Sequence, residues 1–209
     1  MGNDVPLILT MYPLKRYHCS NRGNELPVKS ARHGKSKILS EQEYQQLVAA
    51  VPHKYSVLLR LLMVSGFRIS ECLSLRTEDL MEASVLVRKC SSKGRRSTRE
   101  IPLPPELIQD LHSIAGDAYI FESKHKSDQP LTRQSADYIF RNACKDLGIE
   151  GFSLHGTRRF FIHTLHHKNV PLKVIQTAVG HSEMRSTAAY IDVTETQVER
   201  AVSQLWAMV

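Results

Sequence analysis

Apolar residues recur at helical spacing along most of the chain beyond residue 38. Three caps and breakers frame this pattern: Ser40 with Glu43 forms a capping box, Gly66 ends a helix, and Thr132 begins one. The helix that Thr132 begins should end at Gly148, because its apolar positions keep a three-to-four spacing at Ala136, Ile139, Phe140, Ala143 and Leu147. The pattern predicts further helices at about 53–65, 69–75, 104–114, 155–168, 171–179, 183–191 and 195–207.

Strand signals are confined to the middle of the chain. Ala83–Cys90 and Thr98–Leu103 are rich in Val, Leu and Ile, and the polar turn Ser91–Ser97 with Gly94 lies between them. Tyr119–Glu122 is the candidate for a third short strand. The sequence therefore predicts a mainly α fold with a small antiparallel β-sheet, of the α+β class.

Length and composition limit the kind of protein. A chain of 209 residues with 42% hydrophobic residues can build one large domain, and it contains no apolar run long enough to span a membrane. The four cysteines are far apart, so neither a disulfide framework nor a zinc site is indicated, and a reducing, cytoplasmic setting is expected. The net charge of +7 favours an anionic partner, most simply nucleic acid.

Residues 1–37 differ from the rest in composition. They contain several Pro and Gly residues and end in a basic run from Lys29 to Lys37. We interpret 1–37 as an N-terminal arm or linker and 38–209 as the folded domain. The arm either is a solvated tail, or lies along a phosphate backbone, or does both.

Three segments carry the candidate chemistry. The first is Ser65-Gly-Phe-Arg68-Ile-Ser-Glu71-Cys-Leu-Ser-Leu75, the second is His155-Gly-Thr-Arg158, and the third is Gly180-His181 followed by Thr187 and Tyr190. About 90 positions separate Arg68 from Arg158, and about 30 more lead to Tyr190. Together these segments resemble the three boxes of the tyrosine recombinase, or phage integrase, family over roughly residues 38–195. One such box alone would be weak evidence, but three in order are specific.

The resemblance implies the catalytic domain of a site-specific DNA recombinase with Tyr190 as the nucleophile. Arg68 and Arg158 would clamp the scissile phosphate, since a guanidinium donates paired hydrogen bonds to phosphate oxygens. A tyrosine hydroxyl has a pKa near 10, so it needs help to lose its proton, and His155 is the candidate base. His181 would donate a hydrogen bond to a phosphate oxygen.

The family uses a hairpin lysine to protonate the departing 5′ oxygen. Lys93, just before Gly94, is assigned to this role, with Lys89 as the competitor. The covalent 3′-phosphotyrosine conserves the phosphodiester energy, so no cofactor and no metal are expected. That expectation fits a sequence without a P-loop motif or an acidic cluster suited to Mg²⁺.

The sequence departs from the family pattern in two places. Arg159 follows Arg158 where the family usually has His. A helical core-binding domain commonly precedes the catalytic domain, whereas only residues 1–37 do so here, which suggests either a fragment or a short form like the fimbrial-switch inverting recombinases. The resemblance further implies double-stranded DNA as the partner and a homo-oligomer, a tetramer on DNA.

Other interpretations of these residues remain open. Arg68 fits a buried, paired arginine equally well, and Glu71 fits a carboxylate that orients it rather than a catalytic group. Three histidines at helical spacing, His163, His166 and His167, suggest a solvated face more than a metal site. An apolar stripe near the C-terminus packs either on its own core or on a neighbouring protomer; its residues are Val198, Ala201, Val202, Leu205 and Trp206. The competing functions are a type IB topoisomerase-like DNA relaxer and a catalytically silent DNA-binding regulator.

Overall fold

The computed structural model describes residues 36–88, 98–124, 128–180, 187–188 and 203. Seven α-helices and two strands fall within these residues, together with a single 3-10 turn at Thr77–Asp79. In chain order they are α1 (Glu41–Ala50), α2 (His53–Ser65), α3 (Ile69–Leu73), β1 (Ser84–Val87), β2 (Arg99–Pro102), α4 (Pro105–Ile114), α5 (Arg133–Asp146), α6 (Leu154–His167) and α7 (Leu172–Val179). The predicted fold class is confirmed.

Helix boundaries follow the caps that the sequence predicts. Ser40 and Glu43 form the reciprocal capping box of α1, and the Thr132 hydroxyl accepts from the Ser135 amide at 3.1 Å to begin α5. Gly66 ends α2 in the left-handed conformation at φ 62°, and its amide donates to the Leu62 carbonyl. Local side-chain chemistry therefore sets where these helices begin and end.

Helix α2 lies at the centre of the core. It packs against α1, α4 and α6, and its buried apolar residues are Val57, Leu58, Leu59, Leu61, Leu62 and Met63. A helix that is apolar on nearly every side must be covered on every side. This central position means that the chain leaving α2, where Gly66 and Arg68 lie, is held on a rigid base.

Within the described ranges the sheet has two strands rather than three. β1 and β2 pair antiparallel, with Val85 opposite Ile101 and Val87 opposite Arg99. The predicted strand at Tyr119–Glu122 is wrong, because its ends form isolated bridges only. The backbone there curls around the Glu122 carboxylate, which accepts from the Ala118 amide at 3.1 Å, and this turn leaves no straight edge to join the sheet.

Helix α3 is also shorter than predicted and ends at Leu73 instead of Leu75. The Leu75 carbonyl accepts from the Ile120 amide at 3.1 Å, so this residue pairs with a distant segment instead of continuing the helix.

Helices α6 and α7 share a second, smaller apolar cluster, formed by Ile162, Ile175 and Val179. Pro171 precedes the first turn of α7, as the sequence predicts. The predicted helices at 183–191 and 195–207 lie outside the described residues except for Thr187, Ala188 and Ser203, which are helical. None of the described helices combines the length and apolar character that crossing a membrane requires.

Candidate active site

Arg68 lies where the chain turns out of α2 and into α3. The turn needs glycine at position 66, because a Cβ there would lie 2.5 Å from Cδ1 of Phe161 on α6, on a backbone that already has a positive φ. The side chain of Arg68 is 33% exposed, and its Nη1 donates to Oε1 of Glu71 at 3.1 Å. Arg68 is thus paired but still reaches solvent.

Glu71 joins three arginines from three parts of the fold. Its Oε2 accepts from the Arg68 backbone amide at 2.9 Å, and its side chain is only 10% exposed. The same oxygen lies 3.3 Å from Nη2 of Arg99 and 3.9 Å from Nη1 of Arg158. The expectation that Glu71 orients Arg68 agrees with this geometry, and we call these four side chains the Glu71 cluster.

Arg158 lies deepest in the cluster, with 1% of its side chain exposed. It projects from the first turns of α6, donating from Nη1 to the Gly66 carbonyl and from Nη2 to the Val179 carbonyl, both at 2.8 Å. The guanidinium therefore ties the ends of α2 and α7 to α6. One arginine carries both a structural tie and a charge beside Arg68.

Arg99 is the member of the cluster that sequence reasoning missed. Its side chain turns inward from β2, is 12% exposed and lies over the Phe67 ring at 5.4 Å from the ring centre. The available signal was the two-residue period of a strand, because Arg99 shares the face of β2 that carries Ile101.

Among the residues that the structure describes, the charges of the Glu71 cluster do not balance. Three guanidinium groups and one carboxylate leave a surplus of two positive charges, and the side chains of Glu71, Arg99 and Arg158 are largely buried. Unbalanced charge in a partly desolvated place is costly to the folded state unless an anion joins it. The arrangement is therefore suited to bind a phosphate.

His155 lies in the first turn of α6, one helical turn before Arg158. The residue keeps an exposed surface, but desolvation by the surrounding protein lowers the pKa of its imidazole, and the positive charges of Arg158, Arg68 and, least, Arg133 lower the pKa further. At neutral pH the ring is therefore mostly neutral, the form that can accept a proton. The structure thus brings together Arg68, His155 and Arg158, three of the predicted site residues.

The other three predicted site residues, Lys93, His181 and Tyr190, lie outside the described residues. The competitor Lys89 does so as well.

The start of the described chain, Ser36–Lys37, crosses the N-terminal end of α6, and we call it the strap. The Lys37 amide donates to the Gly151 carbonyl at 3.0 Å, and the Ser36 and Ser153 hydroxyls share a hydrogen bond of 2.8 Å. Arg159, the residue that departs from the family pattern, donates from Nη1 to the Ser36 carbonyl at 3.1 Å. Its contact is with the strap.

Three further histidines lie near the end of α6, where His167 is exposed and His163 and His166 are half-buried. Nε2 of His163 lies 3.0 Å from Nε2 of His167, and the two rings are tilted against each other. Within the described part of the chain, no group of three or more His, Cys, Asp or Glu side chains is placed to hold a metal ion.

Comparison with known proteins agrees with the arrangement of these elements. The sequence model of the phage integrase family matches residues 37–197, which is most of the chain. The chain belongs to the phage integrase family. The match takes in all three boxes and the Glu71 cluster.

Curated relatives of this family member include proteins named as tyrosine recombinases. The chain is 25% identical over 177 residues to tyrosine recombinase XerA of Pyrococcus furiosus, covering 80% of the chain and 61% of the relative. It is 29% identical over 179 residues to a tyrosine recombinase of Thermosipho africanus, with the same two coverages. The chain thus spans about three fifths of the length of these relatives.

Solved structures share its fold. A crystal structure of XerA recombinase superposes with a TM-score of 0.65 at 21% identity, covering 86% of this chain and 66% of that one. The Tn1549 transposon integrase in complex with transposon right end DNA gives 0.66 at 16% identity, covering 83% and 67%. These neighbours confirm the recombinase catalytic-domain fold.

Proposed function

We propose that this chain cuts and rejoins double-stranded DNA at specific sites through a covalent 3′-phosphotyrosine at Tyr190. The observation that carries the proposal is the surplus of two positive charges in the Glu71 cluster, beside a histidine whose lowered pKa favours the neutral ring. Transfer at a phosphate builds negative charge on its oxygens, and fixed cations stabilise that charge. The curated relatives are named as tyrosine recombinases, and the Tn1549 integrase was solved with DNA, which support the same activity here.

The proposed reaction exchanges one phosphorus–oxygen bond for another. The Tyr190 oxygen attacks the phosphorus while His155 takes its proton, and the bond from phosphorus to the 5′ oxygen breaks. Lys93 gives a proton to the departing 5′ oxygen, and His181 donates a hydrogen bond to a phosphate oxygen. Arg68 and Arg158 hold the phosphate throughout, and a 5′ hydroxyl attacking the phosphotyrosine reverses the steps to rejoin the strand.

Residues 38–209 are proposed as the catalytic domain, acting as a homotetramer on DNA in the cytoplasm. Residues 1–37 are proposed as a basic arm that follows the phosphate backbone. The strap supports this placement, because it brings the arm into the domain at the end of α6 that carries His155.

Trapping the covalent adduct on a nicked suicide substrate tests the proposal. The parent chain should form a covalent DNA adduct on a denaturing gel, and the adduct should persist in excess EDTA because arginines replace a metal. Tyr190→Phe should form none while keeping its DNA affinity. Tyr138→Phe is the matched control, since Tyr138 is exposed on α5 and should be dispensable.

Adduct formation by Tyr190→Phe, or its loss in EDTA with rescue by Mg²⁺ or Zn²⁺, would contradict the mechanism. The competing functions give other results. A silent regulator would bind DNA without any adduct, and a relaxing enzyme would unwind supercoils without exchanging strands between sites.

The role of Lys93 is tested with a substrate that carries sulfur at the 5′ bridging position. A thiolate leaves without a proton, so Lys93→Ala should cleave this substrate at nearly the parent rate and normal DNA about a hundredfold more slowly. Lys89→Ala is the matched control and should behave like the parent on both. Rescue of Lys89→Ala instead would move the role to that lysine.

A salt series tests the arm. Each neutralised phosphate adds roughly −0.9 to the slope of log affinity against log salt for duplex DNA. Deleting residues 1–35, which include six Lys and Arg residues, should make the slope shallower by roughly two units or more. An unchanged slope would show that the arm is a solvated tail.

A further inference from the structure

The Arg68 guanidinium forms a single hydrogen bond with the Glu71 carboxylate. Its Nη1 binds Oε1 of Glu71 at 3.1 Å, whereas arginine and carboxylate commonly pair through two parallel hydrogen bonds. The second oxygen is occupied by other donors, namely the Arg68 backbone amide at 2.9 Å and Nη2 of Arg99 at 3.3 Å. Competition for Oε2 therefore limits how far Glu71 can engage Arg68.

Arg99 is well fixed for such competition. Its ring contact with Phe67 and its ion pair with Glu71 join it to the residues on either side of Arg68. It stands opposite Val87 in the register of the sheet, so the strand pairing fixes its backbone. Its Nε is buried and has no hydrogen-bond partner among the described residues. The contacts with Phe67 and Glu71 therefore hold the side chain, although its hydrogen-bonding capacity is not fully used.

We propose that Arg99 is a positioning residue that keeps Oε2 of Glu71 occupied, so that the Arg68 guanidinium stays turned toward the phosphate. The inference rests on the proposed function, because the benefit lies in the phosphate clamp. Without Arg99, Oε2 loses one of its donors and can accept a hydrogen bond from the Arg68 guanidinium beside the one from the Arg68 amide, so that this guanidinium turns away from the phosphate. Arg99 acts through Arg68 and does not itself touch the DNA.

Single-turnover cleavage and duplex affinity, measured on the full chain, separate positioning from direct contact. Arg99→Gln should slow cleavage roughly tenfold or more and leave the affinity and its salt slope unchanged. In an Arg68→Gln background, Arg99→Gln should have little further effect on the rate, because the residue through which it acts is already gone. Arg99→Lys, which keeps a cation for Oε2, should recover part of the rate and serves also if the Gln variant fails to fold.

Arg60→Gln is the matched control. Arg60 forms a part-buried ion pair with Asp110 that joins α2 to α4, and neither helix carries a member of the cluster, so its loss should lower stability without slowing cleavage. A salt slope shallower by about one unit in Arg99→Gln would make Arg99 a phosphate contact and overturn the proposal. An unchanged rate, or a full additive loss in the Arg68→Gln background, would overturn it too.

A second measurement needs no cleavage and separates this inference from the proposed function. The coupling between Arg68 and Glu71 is read from a double-mutant cycle on the unfolding equilibrium, with Arg68→Gln and Glu71→Gln. The coupling constant from this cycle should increase roughly threefold or more when Arg99 is replaced by Gln. If the parent forms no adduct, the proposed function fails, and this cycle still decides the geometry. An unchanged coupling overturns the role of Arg99 even in an active enzyme.

Discussion

Two short segments, eight residues apart in the chain, have the same local construction. In Arg68–Glu71 and in Arg76–Asp79 an arginine precedes an acidic residue by three positions. In both, the carboxylate is largely buried and accepts the backbone amide of the arginine at 2.9 Å, so that it caps a short helical turn. The local sequence therefore forms the same capped turn in both segments, which we call the Glu71 corner and the Asp79 corner.

The surroundings make them different. The Asp79 carboxylate pairs with Arg88, and Glu78 lies 3.0 Å from the same guanidinium, while the Arg76 side chain lies over the Tyr119 ring. Two carboxylates and two arginines balance there. The Glu71 cluster has three arginines for one carboxylate, and the extra ones arrive from β2 and α6. A helix cap becomes a candidate anion site when distant elements bring charge that the cap cannot neutralise.

Removing Arg158 should have the largest effect. Arg158→Gln leaves the carbonyls of Gly66 and Val179 without their buried donor, at about 1–3 kcal/mol each in the free energy of unfolding. It should also abolish adduct formation. Arg88→Gln, the equivalent change at the balanced corner, should cost less stability and leave the adduct yield unchanged.

Denaturant unfolding and the suicide-substrate assay check both variants. If Arg158→Gln stays stable and active, the buried arginine neither ties the helices together nor clamps the phosphate. Loss of activity in Arg88→Gln would erase the difference between the two corners.

Arg68→Gln should come next, and it should separate catalysis from stability. Removing one fixed donor to a developing oxyanion costs about 10²–10³ in rate. The side chain is one-third exposed, so the free energy of unfolding should change by less than about 1 kcal/mol. Arg76→Gln at the other corner should leave the cleavage rate alone. Single-turnover rates at saturating protein decide the matter, and equal rates for the two variants would refute the assignment.

The pH dependence of cleavage should show that the surplus charge reaches His155. A base works only when deprotonated, so the rate should fall about tenfold per pH unit below its pKa. That pKa is lowered from 6.5, so the acid limb should lie below pH 6.5. Arg133→Gln removes the smallest of the causes and should move the limb slightly to higher pH. A limb above 6.5, or a shift to lower pH, would contradict this account.

The sequence predicts the local features of this molecule well. The caps at Ser40 and Thr132, the end of α2 at Gly66 and the break at Pro171 all depend on residues close in the chain, and all are confirmed. The turn around Glu122 was mistaken for a strand because its carboxylate bonds to backbone amides, which hydrophobic patterning does not register.

Long-range geometry accounts for the rest. The motif spacing pointed to Arg68, His155 and Arg158, but nothing in it required Arg99 to turn inward or Arg159 to hold the strap. The position of each side chain depends on a partner distant in sequence, Glu71 for Arg99 and Ser36 for Arg159. A single sequence reveals which groups a reaction needs more readily than it reveals what holds them in place.

The smallest expected effect concerns the strap. In Gly156→Ala the new Cβ would lie 2.7 Å from the Lys37 carbonyl oxygen and 2.8 Å from the Ser36 hydroxyl, so the strap must shift away from α6. Its hydrogen bonds are worth about 0.5–1.5 kcal/mol each, and alanine returns up to about 1 kcal/mol by favouring the helix. We expect a net loss of about 1–2 kcal/mol in the free energy of unfolding. A two- to fivefold slower cleavage should follow, because the turn that carries His155 loses a neighbour.

Gly116→Ala is the matched control: its Cβ would crowd Glu122 at 2.3 Å, so stability should fall while the cleavage rate holds. Equal cleavage rates in the two variants would show that the strap contributes stability alone, and that the turn carrying His155 does not depend on it.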